Sequence, residues 1–177
     1  MTLKDHFELM AQYNQWMNES LYEAVSELSA AELEKDEGAF FGSISGTLNH
    51  VMVGDIIWLK RFAEHPAGYA ALTTVKAMPQ PQGLGATLHS DFDDLRNARF
   101  LLDRTIIEFC DQIEVYDLNL PLAYCNMQGY KFEKRFGYLL QHFFNHQTHH
   151  RGQVTTLLSQ KGMDLAITDL LAVIPEA

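Results

Sequence analysis

Four stretches of this sequence place apolar residues at alternating steps of four and three, and that period limits the possible folds more than any other feature. The first runs through Leu3, Phe7, Met10, Asn14, Met17, Leu21, Ala24 and Leu28. The second is Ile44, Leu48, Val51, Asp55, Trp58 and Phe62. The third carries Leu88, Phe92, Leu95, Leu102, Ile106, Phe109 and Ile113, and the fourth carries Leu139, Phe143, Val154 and Leu157. At about 100° per residue each set lines one face of a helix, and such a face must be buried against another. Four of them in 177 residues predict an all-α fold, a single-domain four-helix bundle over 1–177.

The residues between the stripes supply starts and stops. Thr2 followed by Asp5 resembles a capping box for the first helix, Ser43 or Ser45 is available to cap the second, and the second should end near His65-Pro66. Pro66, Pro79, Pro81, Gly83 and Gly85 disfavour regular structure over 64–86 and predict a long connection after helix two. Asp91, Asp93 and Asp94 fall in the first turn of the third helix, where the helix dipole favours negative charge. From Val115 to Glu133 the helical period fails. There Tyr116, Leu118, Leu120, Leu122 and Tyr124 alternate before Asn126-Met127-Gln128-Gly129, which predicts a short β-hairpin before helix four. The fourth helix should run from about Lys134 to Lys161 and stop at Gly162, with an irregular apolar strap after it.

Composition excludes several classes. The formal net charge of -10 would repel a phosphate backbone, so no nucleic-acid partner is expected. No stretch of about 18 apolar residues is present to span a bilayer, and Met1 to His6 run straight into an amphipathic pattern without the basic start and apolar run of a signal peptide, so secretion is not expected. Cys110 and Cys125 have no metal-knuckle spacing and read as reduced thiols. A cytoplasmic protein is expected.

The chemistry concentrates in Gln141-His-Phe-Phe-Asn-His-Gln-Thr-His-His-Arg-Gly-Gln153, which holds four of the eight histidines. His146 and His150 fall inside the buried stripe, and His142 and His149 lie toward its edge. Two histidines at i and i+4 stack on one face, close enough to reach one ion. Without metal, two adjacent buried imidazoles need partners for a donor and an acceptor each, so core histidines satisfied by hydrogen bonds are the alternative. A facing helix must supply further donors, and His50 and Asp55 are the candidates on helix two. The helical wheel favours Asp55, whereas His50 points about 100° away from Val51. Asp55 also reads as a buried carboxylate paired with an arginine, or as an acceptor for a ligand N–H. Asn14 interrupts the first stripe, either to order a water or ligand histidine at the same site or to fix helix register. Arg151 reads either as a receiver of a substrate carboxylate or as a solvated surface residue.

With these residues in view the sequence resembles the DinB/YfiT-like family. The resemblance rests on Tyr13-Asn14-Gln15-Trp16, on Thr47-Leu48-Asn49-His50 followed by Trp58, and on His146-Gln147-Thr148-His149-His150-Arg151-Gly152-Gln153. It covers nearly the whole chain. It implies an antiparallel bundle, often a homodimer, with a metal held by one histidine of helix two and two of helix four, which here are His50, His146 and His150. The resemblance thus selects His50 where the wheel selects Asp55. It implies Ni2+ or Zn2+ as the occupant, and imidazole suits either.

Some relatives are damage-inducible, and some are transferases or isomerases that use a low-molecular-weight thiol such as bacillithiol or mycothiol. The expected function is therefore a metal-dependent enzyme that activates water or such a thiol for hydrolysis or S-transfer on a small-molecule substrate. His149, His142 and Asn14 are the candidate catalytic residues beyond the ligands. The alternative is a non-catalytic, stress-associated dimer whose ion only stabilises the bundle.

Overall fold

The computed structural model describes residues 1–165 and 167–176 of the chain. Among these residues it is mostly helical, with six α-helices and one two-stranded sheet. Helix α1 (Leu3–Val25) opens on the expected capping box: the Asp5 N–H donates to Thr2 Oγ1, and the Thr2 N–H to Asp5 Oδ2. It stops before Leu28, because a second capping box, Ser29 with Glu32, starts a short helix α2 (Ala30–Glu34) that the stripe conceals. Helix α3 (Ile44–Phe62) is capped by Ser43, whose hydroxyl accepts from the Gly46 N–H. It ends three residues short of His65.

The proline-rich connection is less irregular than its composition suggests. It contains a 3-10 turn at Ala70–Leu72 that leads into a short helix α4 (Thr73–Ala77), with Leu72 and Val75 buried against the core. Helix α5 (Phe92–Gln112) takes Asp91 as its N-cap, which leaves Leu88 outside the helix. The expected hairpin is present but shorter than the alternation. Asp117–Asn119 form a 3-10 turn, and β1 (Pro121–Cys125) pairs antiparallel with β2 (Lys131–Arg135), Pro121 opposite Arg135 and Cys125 opposite Lys131. At its tip Asn126 Oδ1 accepts from the Gln128 and Tyr130 N–H groups, and Gly129 takes φ +84°. Helix α6 (Phe136–Gln160) starts two residues after Lys134, which the strand retains. Gly162 ends it at φ +78°, with the Met163 N–H returning to the Leu158 carbonyl.

The long helices α1, α3, α5 and α6 enclose the core, with α1 against α5 and α6, and α3 against α6. Phe62, Phe109, Phe136 and Phe143 interlock at one end, with ring centroids 5.4 to 6.3 Å apart where they touch. The tail is an apolar strap only in its first part: Met163 and Leu165 pack against the core, whereas no residue of its 3-10 turn at Leu170–Val173 is buried and Leu171 is 75% exposed. The tail is also tied by Tyr13 Oη, which donates to the Thr168 carbonyl at 2.6 Å. Among the described residues no helix is long and apolar enough to cross a membrane.

Candidate metal centre

Helix α3 differs from the other long helices in being covered on almost every side. Besides α5 and α6, the connection before α5 lies on it: Asn49 Oδ1 accepts from the Leu88 and His89 N–H groups, and the Phe41 ring stacks on His50 at 3.7 Å. A helix covered in this way has no single buried stripe, so both residues that the wheel set apart are buried, His50 at 4% exposure and Asp55 at 0%. They do different things.

His50 points toward α6 and meets His146 and His150. Its Nε2 lies 3.2 Å from the Nε2 of each, and the three rings form a cluster whose ligand atoms all fall within 4.8 Å of one another. The i, i+4 spacing on α6 brings His146 and His150 to a centroid distance of 4.4 Å. Gly54, one turn after His50, makes room for the His146 ring: a Cβ there would stand 2.7 Å from its Cε1.

The hydrogen bonds of the outer nitrogens fix where the protons are. His50 Nδ1 stands 2.7 Å from the Leu84 carbonyl, an acceptor only, so Nδ1 carries the proton and Nε2 of the neutral ring is a bare lone pair. His150 Nδ1 stands 2.7 Å from Gln153 Oε1, whose amide nitrogen in turn faces His149 Nε2 at 3.4 Å, so the same holds for His150. Burial pushes all three imidazoles below their ordinary value, His146 to about 3, with the neighbouring rings adding to the effect at His146 and His150. Two bare lone pairs face each other at 3.2 Å with no proton to join them, which is repulsive unless a cation lies between. A metal–nitrogen bond of about 2.0–2.1 Å turns that separation into an angle of roughly 100° at the ion, within the range of tetrahedral and octahedral sites. The residues present fit a divalent ion of the imidazole-loving kind.

Asp55 points the other way and adopts the paired-carboxylate role. Arg99 Nη1 donates to its Oδ2 at 2.5 Å, and Arg99 Nη2 donates to Asp103 Oδ1 at 2.8 Å. Burial pushes both carboxyls up, with Arg99 opposing. For Arg99 burial acts downward, but Asp103 and Asp55 outweigh it, and the guanidinium stays charged. Asn14 belongs to this network and not to the histidine cluster. Its Nδ2 donates to Asp103, joined by Asn18, and its Oδ1 accepts from Arg151. Arg151 is therefore neither solvated nor open to a substrate, being 4% exposed. His149 is exposed outside the cluster, while His142 packs edge-on to Trp58 at 5.0 Å and lies 6.1 Å from His146.

Four features support the cluster in ways that the sequence does not announce: Phe41, the Leu84 carbonyl, Gly54 and the contact of Gln153 with His150. Gln153 alone carried a signal, as the polar residue three positions after His150. His50 and His146 open onto a 380 Å³ cavity that His142, Trp58, Arg61 and the hairpin tip also line.

The family model described as DinB family matches residues 1–176. The chain is 28% identical over 158 residues to a protein described as Protein DinB from Bacillus subtilis (strain 168), covering 89% of this chain and 87% of that one. No solved structure matches it.

Proposed function

The chain belongs to the DinB family, and from that premise we propose that it is a metal-dependent enzyme acting on a small molecule, with Ni2+ or Zn2+ held by His50, His146 and His150. We take its four long helices as the antiparallel bundle of the family. The observation that carries this reading is the convergence of unprotonated Nε2 atoms from α3 and α6. A divalent ion held there supplies a Lewis acid that lowers the pKa of water or of a low-molecular-weight thiol toward neutrality.

The chain's own residues do the rest. The Leu84 carbonyl and Gln153 hold two of the ligand rings in the required tautomer. Trp58 and the hairpin tip wall the cavity in which the nucleophile and its electrophile would meet. His142, on the same wall, is held below its ordinary pKa by burial and by Arg61, so at neutral pH its ring accepts a proton. The open cavity beside the ligands favours chemistry over a purely structural ion, which would be enclosed on all sides.

The test is elemental analysis of the purified protein, joined to hydrolysis and S-transfer assays with several low-molecular-weight thiols. About one ion per chain is expected, with activity lost on chelation and in His150→Ala while the helical circular dichroism is kept. Full activity in the metal-free protein overturns the proposal.

A further inference from the structure

The cavity beside the histidines contains one cationic side chain, Arg61, among its lining residues. Its guanidinium carbon sits 4.5 Å from the Trp58 ring centroid and 5.0 Å from that of Tyr124 on β1. The chain's fully buried arginine Arg99 is spent on Asp55 and Asp103, and Arg151 on Asn14. Arg61 has no carboxylate within ion-pair distance among the described residues, although the chain carries 23 acidic residues against 13 lysines and arginines. Stacking on aromatic rings engages the flat face of a guanidinium and leaves its N–H edge free to take a planar oxyanion in two parallel hydrogen bonds.

We infer that Arg61 is the anion-receiving end of the cavity and that the substrate carries a carboxylate, bound there while its reacting group lies at His50, His146 and His150. This rests on the function proposed above and names the substrate class of the same site. The lining between the two ends supports it: Ile57, Leu84 and Met127 are apolar, and Asn126 and Gln128 offer amides from the hairpin tip. His50 and Arg61 are eleven residues apart on α3, roughly 16 Å along the helix axis. The guanidinium lies at the level of Trp58, about one turn closer. The substrate is therefore a short molecule with an apolar middle and a carboxylate several bonds from the reacting atom. Two other features of Arg61 point the same way. It is half-buried, so an anion there meets a charge less screened than at the surface. Its two aromatic neighbours come from different elements, so its position is fixed in advance of binding.

The probes are 3-mercaptopropionate, 4-mercaptobutanoate and 6-mercaptohexanoate, each paired with its own carboxamide, titrated into the full-length protein loaded with Co2+. The visible cobalt bands report whether the histidines hold the ion, and thiolate-to-cobalt absorption reports probe binding. At one or more chain lengths the carboxylate should bind at least tenfold more tightly than its amide. Arg61→Gln should abolish that preference and leave the amide's affinity and the cobalt bands unchanged, and Arg61→Lys should keep part of it. Arg61→Met, which retains an apolar contact with Trp58, serves if the glutamine variant fails to fold. If the cobalt bands never form, the metal reading falls and takes this inference with it. If the bands form but carboxylate and amide bind alike at every length, or the preference survives without the guanidinium, the subsite alone is overturned and Arg61 only fastens the hairpin to α3.

Discussion

His150 Nδ1 stands 2.7 Å from Gln153 Oε1, one turn further along the same helix, and this contact decides which nitrogen of His150 faces His50. A ligand imidazole whose outer N–H is held keeps its lone pair on the inner nitrogen and its ring in one plane. Gln153→Leu removes the acceptor and frees the ring to rotate or change tautomer. The expected result is metal affinity lower by roughly 10–100-fold with little change in helical content, measured by competition against a chromophoric chelator at pH 7.5. Unchanged affinity would mean that packing alone orients His150. The equivalent partner of His50 is the Leu84 backbone carbonyl, which no side-chain substitution removes.

Gly54 gives a second prediction with an unusual sign. In a helix interior alanine is more favourable than glycine by about 1 kcal/mol, so Gly54→Ala should support α3 on propensity alone. A Cβ at this position, however, would stand 2.7 Å from His146 Cε1, closer than side chains approach. The ring has to swing away, and the cluster loses one ligand. Metal titration should show a large loss of affinity, while thermal melting of the chelated protein shows a midpoint no lower than that of the wild type. A collapse of the fold instead would place the clash in the backbone and not in the imidazole.

Much of this was legible in the residues and some was not. The stripes located all four long helices to within a few residues, because a period of 3.6 over many residues has few other readings. The capping boxes of α1 and α2 follow the same rule, but the second was hidden inside the first stripe's last turn. The wheel separated Asp55 from His50 on the assumption that α3 has one wet face. The connection through Leu84 and His89, and Phe41 before the helix, remove that face by contacts forty residues or fewer away that no periodicity reveals. Arg151 was misread for a related reason: its partner, Asn14, lies on a helix more than a hundred residues earlier. The density of histidines in α6 was visible at once, but the choice of His50 came from the family resemblance and not from spacing.

Asp55 offers the clearest separation of a structural from a ligating role. Its Oδ2 is bound by Arg99, and neither Asp55 nor Arg99 belongs to the imidazole cluster. Asp55→Asn leaves the guanidinium with Asp103 alone in a site without water access, and removing one partner of a buried pair typically costs about 3 kcal/mol. Urea denaturation should show a loss of that order. The folded fraction should still bind metal with wild-type affinity by calorimetric titration. A variant that folds normally but loses the ion would make Asp55 a ligand.

His65 tests the pH dependence of stability away from the metal cluster. It is 3% exposed, stacked on Tyr69 at 5.4 Å and tilted against Phe136 at 4.5 Å, and its Nδ1 accepts from the Ala67 N–H. Burial holds its pKa below the ordinary value, with Asp117 opposing, so in the folded chain it stays neutral where an unfolded histidine takes up a proton. The unfolded state thus binds more protons once the pH falls below about 6.5, and stability must fall with pH in that range. The contribution is intact above that value and is lost progressively beneath it. His65→Phe keeps the aromatic contacts and deletes the titration. Between pH 7.5 and pH 5.0, with chelator present, the wild type should therefore lose more stability than the variant, read from the two urea midpoints. Equal losses would mean that the imidazole is protonated within the fold, at the expense of the Ala67 N–H bond that its bare Nδ1 now accepts.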